Sequence, residues 1–323
     1  MSGTGGRHEG MEGQRRWEAL PTEARNPASV ELDRLSAEAA VRLLLEEDRR
    51  GIDRALAQAG DVARAAEWVA ETLGGGGDVM LAGAGTSGRL AVLEAAECPP
   101  TFGTDPQRIR AVLAGGPEAV FRAFEGAEDR ADDGAAAAAE LRPGDLLIAI
   151  SASSVTAFAR GALDAARRRG ARTVLLTCAA GQDAVGAADL VLALATGPEV
   201  LTGSTRLKAG SATKAVLNAI TTAAMVQLGK VYENLMVDLR QGSAKLRDRA
   251  VRIVAAAAAS GREAAEQALA DSAGEVKTAI VALRLGLSAE AARARLETAR
   301  GHVREALATN PRRDPDAAGV LQS

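Results

Sequence analysis

The sequence predicts an α/β fold: a doubly wound parallel sheet flanked by helices, with a small helical domain towards the C-terminal end. Three observations lead to this prediction. Short apolar segments, each followed by Gly, Ser or Thr, alternate with helical segments through the centre of the chain. A glycine-rich turn follows the first of these apolar segments, and the last part of the chain is alanine-rich and helical. Near-continuous apolar strands between helices are typical of a parallel sheet that is covered on both faces.

The composition limits the kinds of protein this chain can be. Its 323 residues are 47% hydrophobic, which is ample for a buried core. The net charge is −3, charges of both signs are mixed along the chain, and only 2% of the residues are aromatic, so we expect no nucleic-acid partner. The chain has two cysteines, no recognisable signal peptide and no apolar run of membrane length. We therefore expect a cytoplasmic protein with no membrane association and no disulfide.

Histidine is too scarce to support several common mechanisms. The only two histidines are His8 and His302, which lie far from each other in the sequence and far from the glycine-rich turn. A serine–histidine hydrolase and a histidine-rich zinc site are therefore excluded. We expect acid–base chemistry from carboxylates, lysine or tyrosine, and we predict neither a metal nor another cofactor.

The predicted domain organisation follows the order of these segments. Residues 1–19 are polar and glycine-rich and are expected to form a disordered tail. Helices before the sheet, the first of them capped by Ser36, join the sheet in one main domain over residues 20–250. A helical domain over residues 251–309 and a tail over residues 310–323 complete the chain.

Five strands are predicted at the centre of the chain, at residues 79–84, 109–114, 146–151, 172–177 and 190–195. Helical segments are predicted between them, including residues 118–124 and 157–168. In parallel sheets of this kind, ligands bind at the carboxyl ends of the strands. We therefore expect the functional site at that edge.

The glycine-rich turn that follows the first strand has the sequence GAGTSGR and begins at Gly83. Backbone N–H groups at such a helix start can approach an anion closely, and Thr86 and Ser87 add hydroxyl donors, so the turn suits a phosphate. The turn satisfies GxGxxG, but no acidic residue is suitably placed about 20 residues on, and no lysine occupies the Walker position. Neither common nucleotide fingerprint is therefore present. A glycine-rich turn with a purely structural role is the alternative.

A glutamate occupies an unusual place at the predicted end of the next helix. Pro99 disfavours the α conformation at Cys98, so the helix is predicted to end there. This end would leave Glu97 in the last turn, at the unfavourable end of the helix dipole. Such a position points to a functional carboxylate, although an ordinary exposed glutamate is the alternative. Cys98 is interpreted as a small buried hydrophobe rather than a nucleophile.

A second cluster of hydroxyl groups follows the third strand. Ser151, Ser153, Ser154 and Thr156 lie within six residues, between a predicted strand and a predicted helix. They predict a second oxyanion site, independent of the first. A serine-rich helix cap would need only one or two of these hydroxyls, and it remains the alternative interpretation.

A third polar segment precedes a long predicted helix over residues 212–229. Ser204, Thr205 and Lys208 are its candidate contacts to sugar hydroxyls or phosphate. The segment is too polar and too rich in glycine to be part of the core. An ordinary capped helix entrance is the alternative.

The chain resembles the N-acetylmuramic acid 6-phosphate etherases of the sugar isomerase (SIS) fold family in the runs AGAGTSGRL, ECPPTFGT and GPEVLTGSTRLKAG. The similarity extends from about Leu20 to about Leu307. It implies a SIS-type fold and cleavage of the C3 D-lactyl ether of N-acetylmuramic acid 6-phosphate by elimination and water addition. The products would be N-acetylglucosamine 6-phosphate and D-lactate, in the recycling of cell-wall amino sugar. The resemblance also implies a homodimer with the site near the subunit interface.

The resemblance further implies roles for two glutamates. Glu97 would protonate the ether oxygen and later activate water, and Glu128 would remove the C2 proton, with Glu125 as its competitor. The family pattern SGRTP corresponds here to Ser153 and the four residues after it. A serine and a valine, Ser154 and Val155, therefore replace the expected glycine and arginine.

Two other functions compatible with the same fold remain open. A non-catalytic sugar-phosphate regulator would keep the hydroxyl loops and lose turnover. An aldose–ketose isomerase would share proton abstraction at C2 but would need no acid at a C3 ether. The retained Glu97 favours the etherase over both.

Overall fold

The computed structural model describes residues 21–180 and 186–308. The chain divides into two compact units, of which the first comprises Met1–Cys98 with Asp105–Ala224 and the second Pro99–Thr104 with Met225–Ser323. This division differs from the boundary at residue 250 that the composition predicts. Residues such as Tyr232 and Val237 belong to the core of the second unit, which explains the difference. The two predicted tails, residues 1–19 and 310–323, lie outside the described residues.

The first unit is built on a parallel sheet. Its strands are β1 (Val79–Gly83), β2 (Ile109–Leu113), β3 (Leu146–Ile150), β4 (Arg172–Thr177) and β5 (Leu190–Ala193). They lie in the order β2-β1-β3-β4-β5. The chain leaves β1 for β2 on one side and returns to β3 on the other, so the strand order reverses between β1 and β3. Every residue of β1 and β3 is buried, as expected for strands covered on both faces. The predicted fold is confirmed.

Helices surround this sheet: α1 (Ala37–Ala57), α2 (Ala59–Gly74), α3 (Gly85–Phe102), α4 (Ala131–Ala137), α5 (Ala157–Arg168) and α6 (Lys208–Gln227). Ser36 caps α1 by accepting a hydrogen bond from the N–H of Ala39. Two glycines allow α4 and α5 to pack backbone against backbone. A Cβ atom on Gly134 would collide with the carbonyl group of Phe158, and one on Gly161 would collide with that of Ala131.

Two predicted helices differ from the observed ones. The helix after the glycine-rich turn does not end at Cys98 but continues through Pro99 and Pro100 to Phe102. Proline itself accepts helical φ values, and burial of Cys98 and Phe102 outweighs the local preference of the residue before a proline. Glu97 therefore lies inside the helix, and the argument from the helix dipole does not apply. Residues 118–124, predicted as helical, contain only the 3₁₀ turn Pro117–Val120.

The described residues of the second unit form helices and one hairpin. The hairpin pairs β6 (Val231–Tyr232) with β7 (Leu235–Met236). The helices are α7 (Ala244–Ala258), α8 (Arg262–Asp271), α9 (Val276–Leu285), α10 (Ala289–Thr298) and α11 (Val303–Ala308). Their alanine-rich faces form a separate core around Val254 and Ile280. Among the described residues, no helix is both long enough and apolar enough to cross a membrane.

Candidate active site

A polar cavity of about 230 Å³ lies within the first unit, where β1 and β3 end. Its wall is made of hydroxyl, carboxylate and small residues: Thr22, Glu23, Ala84, Gly85, Thr86, Ser87, Glu128, Asp129, Ala152, Ser153, Thr156, Gly203 and Thr205. The cavity thus opens at the point where the strand order reverses, which is where sheets of this kind bind ligands. Six of the predicted site residues line it, namely Thr86, Ser87, Glu128, Ser153, Thr156 and Thr205.

The first hydroxyl loop brings Thr86 and Ser87 to the cavity at the start of α3. The turn is tight, because a Cβ atom on Gly88 would overlap the side chain of Leu113 and the backbone of Gly83. The first N–H groups of a helix have no partners within the helix. Together with the two hydroxyls they can bind an anion at this wall.

The second hydroxyl loop contributes Ser153 and Thr156. Ser151 does not line the cavity; it is buried, and its Oγ lies 2.9 Å from Thr156 Oγ1. This contact restricts the orientation of the Thr156 hydroxyl. Arg160 adds support from α5, because its Nε donates a hydrogen bond of 3.1 Å to the carbonyl oxygen of Ser154.

Ser154 is also buried and does not line the cavity. Its φ is +65°, a left-handed conformation that costs roughly 1–2 kcal/mol for a residue with a side chain. Its Oγ lies 2.6 Å from Thr177 Oγ1, and a hydrogen bond of this kind recovers about 1 kcal/mol. A serine, held by Thr177, therefore occupies in a left-handed conformation the position at which the resemblance leads to the expectation of glycine.

Glu128 is the predicted catalytic residue that lines this cavity. It lies in the 3₁₀ turn Ala127–Asp129, where Ala127 is buried and anchors the turn. The turn packs against α5, the helix that follows Ser153 and Thr156. The backbone contact between α4 and α5 therefore fixes Glu128 relative to the second hydroxyl loop. Glu125 is exposed and does not line the cavity.

Glu97, the other predicted catalytic residue, is exposed on α3 and is not part of the cavity wall. It is twelve residues beyond Gly85, which lies at the cavity, and at the rise of an α-helix this is about 18 Å. A glutamate side chain cannot span that distance. The neighbouring Glu94 points elsewhere, since its carboxylate accepts hydrogen bonds from Lys214 at 2.9 Å and Thr221 at 2.6 Å.

Lys208 is buried and lies outside the cavity wall, as does the less buried Ser204. The Lys208 Nζ donates hydrogen bonds to Glu47 Oε2 at 2.7 Å and to the carbonyl oxygen of Pro198 at 2.8 Å. Burial opposes the ionisation of Glu47, but Lys208, Asn26 and Arg50 outweigh it and hold the pKa of this carboxyl below its ordinary value. Lys208 is therefore one half of a buried ion pair.

Glu199 holds the polar segment that precedes α6. Its carboxylate accepts hydrogen bonds from the backbone N–H groups of Lys208 at 3.1 Å and Ala209 at 2.8 Å, at the start of α6. Burial raises the pKa of Glu199, although these N–H groups oppose the change. The polar segment before α6 is thus held by internal contacts, and Thr205 is its predicted residue that lines the cavity.

Thr22 and Glu23 are cavity residues that the sequence did not indicate. They belong to the segment before α1, which Asn26 anchors: its Nδ2 donates to Glu47 Oε2 at 3.0 Å and to the carbonyl oxygen of Pro198 at 3.2 Å. A polar segment before the first helix has no pattern that separates a site residue from a solvated one. Their role depends on contacts with residues far along the chain.

Burial, together with the charge of Glu94, raises the pKa of the Cys98 thiol to about 12, so it is not a nucleophile at neutral pH. Within residues 21–180 and 186–308, no cluster of His, Cys, Asp or Glu side chains could hold a metal ion.

Two protein-family models match this chain and define the class of protein to which it belongs. Residues 124–223 match the model of the SIS domain, and residues 61–167 match that of the glucokinase regulatory protein N-terminal SIS domain. With the parallel sheet and the hydroxyl-lined cavity, these matches define a SIS-domain protein.

Relatives over nearly the whole length identify the family. An N-acetylmuramic acid 6-phosphate etherase from Cutibacterium acnes is 48% identical, over 90% of this chain and 96% of the relative. A protein of the same name from Rubrobacter xylanophilus is 50% identical, over 89% of this chain and 96% of the relative. Another from Symbiobacterium thermophilum is 47% identical, over 83% of this chain and 90% of the relative. The chain belongs to the N-acetylmuramic acid 6-phosphate etherase family.

Proposed function

We propose that the protein cleaves the C3 D-lactyl ether of N-acetylmuramic acid 6-phosphate and releases D-lactate and N-acetylglucosamine 6-phosphate. The observation that carries this proposal is the cavity at the ends of β1 and β3. It combines hydroxyl groups suited to a phosphate with the carboxylate of Glu128, in a chain of the etherase family.

The phosphate binds to the two hydroxyl loops. Thr86 and Ser87 contribute from the first loop, and Ser153 and Thr156 from the second. No lysine or arginine is among the described residues that line the cavity, so hydroxyl groups and helix N–H groups hold the anion.

The reaction begins at C2 of the open-chain sugar, where the aldehyde makes the proton acidic. Glu128 removes this proton, the electron pair forms the C2–C3 double bond, and the C3–oxygen bond breaks. Water then adds at C3 while C2 takes a proton back, so the lactyl ether is exchanged for a hydroxyl group.

The leaving oxygen needs a proton, because an alkoxide is a poor leaving group at neutral pH. We assign Glu97 as the acid that supplies this proton and then as the base that activates water. Such a general acid contributes roughly 10²- to 10⁴-fold to the rate. The mechanism requires the two carboxyl groups to start in opposite protonation states.

We further propose that Glu97 acts in the cavity of a second copy of this chain. The distance of about 18 Å along α3 excludes Glu97 from the cavity of its own chain, so a site with both glutamates is incomplete without a partner. In this arrangement each cavity takes Glu128 from one chain and Glu97 from the other.

The surface around Glu97 supports an interface between two copies. Leu93 lies one turn before Glu97 on the same face of α3 and is 43% exposed. Phe121 is 85% exposed on the adjoining loop, which Arg89 of α3 holds by donating to the carbonyl oxygens of Val120 and Arg122. We take Leu93 and Phe121 as side chains that the second copy would cover.

Mixing two inactive variants tests the shared site. We expect heterodimers of Glu97→Ala with Glu128→Ala chains, formed by co-expression, to regain activity, because one of their two sites has both carboxylates. An equimolar random mixture should recover about a quarter of the wild-type rate of lactate release. Each variant assembled with itself is the control. If both glutamates served the same chain, no mixture would recover activity.

The function itself is tested by incubating the wild-type protein with N-acetylmuramic acid 6-phosphate in D₂O. We expect D-lactate release together with one deuterium at C2 of the product, since C2 is reprotonated from solvent. Deuterium exchange with sugar-phosphate isomerisation and no lactate would instead favour an isomerase. Binding without either signal would favour a regulator and would overturn the proposal.

We place this reaction in the cytoplasm, where recycled cell-wall amino sugar would be processed. Both cysteines, Cys98 and Cys178, are buried as free thiols, which fits a reducing compartment.

A further inference from the structure

The segment before α1 supplies the cavity wall with two side chains to which the mechanism gives no role, Thr22 and Glu23. We propose that these two residues bind the sugar part of the substrate and determine which sugar phosphates the site accepts. This inference rests on the proposed function, because it takes the cavity to be a sugar-phosphate site.

Glu23 lies beside a glycine that leaves room for its carboxylate. Its Oε2 atom lies 3.1 Å from the point where a Cβ atom would stand on Gly203, whose φ is +77°. Glycine at this position therefore accommodates both the left-handed backbone and the carboxylate beside it. Among the described residues, no hydrogen bond or ion pair is made to the Glu23 carboxylate. A carboxylate with no internal partner at a cavity wall can accept hydrogen bonds from a ligand.

Thr22 gives a second and independent observation. The residue is 1% exposed, and its hydroxyl has no hydrogen-bond partner in the part of the chain that the structure describes. A buried hydroxyl without a partner is unfavourable in a folded protein. Because Thr22 lines the cavity, we infer that its hydroxyl turns to a ligand bound there.

The charge of Glu23 decides which part of the ligand lies beside it. A phosphate dianion is repelled by a carboxylate and is better placed at the hydroxyl loops around Thr86 and Ser153, because residues 85–88 and 151–156 include no Asp or Glu. An ionised carboxylate only accepts hydrogen bonds, so Glu23 pairs with a sugar O–H or with the N–H of an acetamido group. Thr22 and Glu23 therefore contact the sugar and not the phosphate.

A buried network holds the segment in place for this role. Asn26 and Lys208 donate to the same oxygen, Glu47 Oε2, and to the same carbonyl group, that of Pro198. The network ties the segment that carries Glu23 to the loop that carries Gly203. Both sides of this wall are thus fixed before the substrate binds.

Binding of two ligands tests the inference: N-acetylglucosamine 6-phosphate, which has the sugar, and inorganic phosphate, which does not. For Glu23→Gln we expect the Kd of the sugar phosphate to rise about tenfold, and for Thr22→Val about three- to tenfold. The Kd of inorganic phosphate should change less than about twofold, because the hydroxyl loops are intact. Isothermal titration calorimetry gives both constants without requiring turnover.

Two matched controls separate this role from a general effect on folding. Glu38→Gln changes an exposed carboxylate on α1 outside the cavity, and Thr104→Val removes another buried hydroxyl that lacks a partner among the described residues. Neither should alter the binding of either ligand. The inference is overturned if Glu23→Gln leaves the Kd of the sugar phosphate unchanged, or if it raises the Kd of both ligands by the same factor. Because Glu23 is exposed, this variant should fold even if Thr22→Val does not.

The outcomes for this inference and for the proposed function are distinct. Suppose that the wild-type protein releases no lactate but that Glu23→Gln weakens the binding of the sugar phosphate and not that of inorganic phosphate. The proposed function then fails and the inference holds. If lactate is released with an unchanged KM in Glu23→Gln, the inference fails and the proposed function holds.

Discussion

Glu128→Gln should lower the kcat for D-lactate release by roughly 10²- to 10⁴-fold, the range that a general base supplies. Glutamine has almost the same shape as glutamate but cannot take the C2 proton. The hydroxyl loops are untouched, so the Kd of N-acetylglucosamine 6-phosphate should change less than about threefold. Steady-state kinetics and calorimetry on the same preparation measure the two effects.

Glu125→Gln is the matched control for this prediction. Glu125 is a neighbouring exposed glutamate that does not line the cavity, so its replacement should leave kcat within about twofold. Exchange of the C2 proton with D₂O separates the roles further: it should vanish in Glu128→Gln and persist in Glu97→Gln. Persistent exchange in Glu128→Gln, or its loss in Glu125→Gln, would move the role of base to Glu125.

Lys208→Met should lower the free energy of unfolding by about 3–5 kcal/mol, because it leaves the buried carboxylate of Glu47 without its main partner. The Nζ and Oε2 atoms are 2.7 Å apart, and both side chains are 4% exposed. Urea unfolding at neutral pH measures the loss. A lysine that bound the phosphate of the substrate would behave differently: its replacement would weaken ligand binding and leave stability unchanged.

Two further variants test whether the buried charge is the cause. Arg50→Met removes a cation from the same carboxylate, but the Arg50 side chain is 64% exposed, so the cost should be below about 1 kcal/mol. The double variant Glu47→Gln with Lys208→Met removes both charges and should recover most of the lost stability. A double variant as unstable as Lys208→Met alone would contradict the explanation.

The effect of pH follows from the lowered pKa of Glu47. A carboxyl whose pKa is lower in the folded state than in the unfolded state stabilises the protein when the pH is above the ordinary pKa. This contribution is lost as the pH falls through the lowered pKa. The stability difference between the wild-type protein and Lys208→Met should therefore narrow in acid, as the pH falls below the ordinary glutamate value of 4.5.

The fold and part of the site could be predicted because their signals are local. Apolar strands between helices imply a parallel sheet, and the carboxyl ends of parallel strands meet at one edge. Hydroxyl residues that follow two such strands, as Thr86 and Ser153 do, are therefore expected to line one cavity. Pairing of β1 with β3 brings these two loops together.

The other site features depend on partners that no local pattern indicates. Lys208 is separated from Glu47 by 161 residues, and only the folded chain shows that the lysine is buried rather than presented to a ligand. Ser154 likewise turns away from the cavity because Thr177, on β4, offers its hydroxyl. Glu23 becomes a cavity residue only because the loop around Gly203 folds against it.

The close backbone contact between α4 and α5 fixes the distance between the turn that carries Glu128 and the helix that begins beside Thr156. Gly134 and Gly161 do not line the cavity and carry no functional group, yet they set the spacing between the turn of Glu128, the proposed base, and the loop of Thr156, a proposed phosphate contact. Catalytic rates depend steeply on such spacing, since a shift of about 1 Å can cost 10²-fold. We therefore expect a methyl group added at Gly134 or Gly161 to push α4 and α5 apart. This would move Glu128 relative to Thr156, although neither glycine takes part in the reaction.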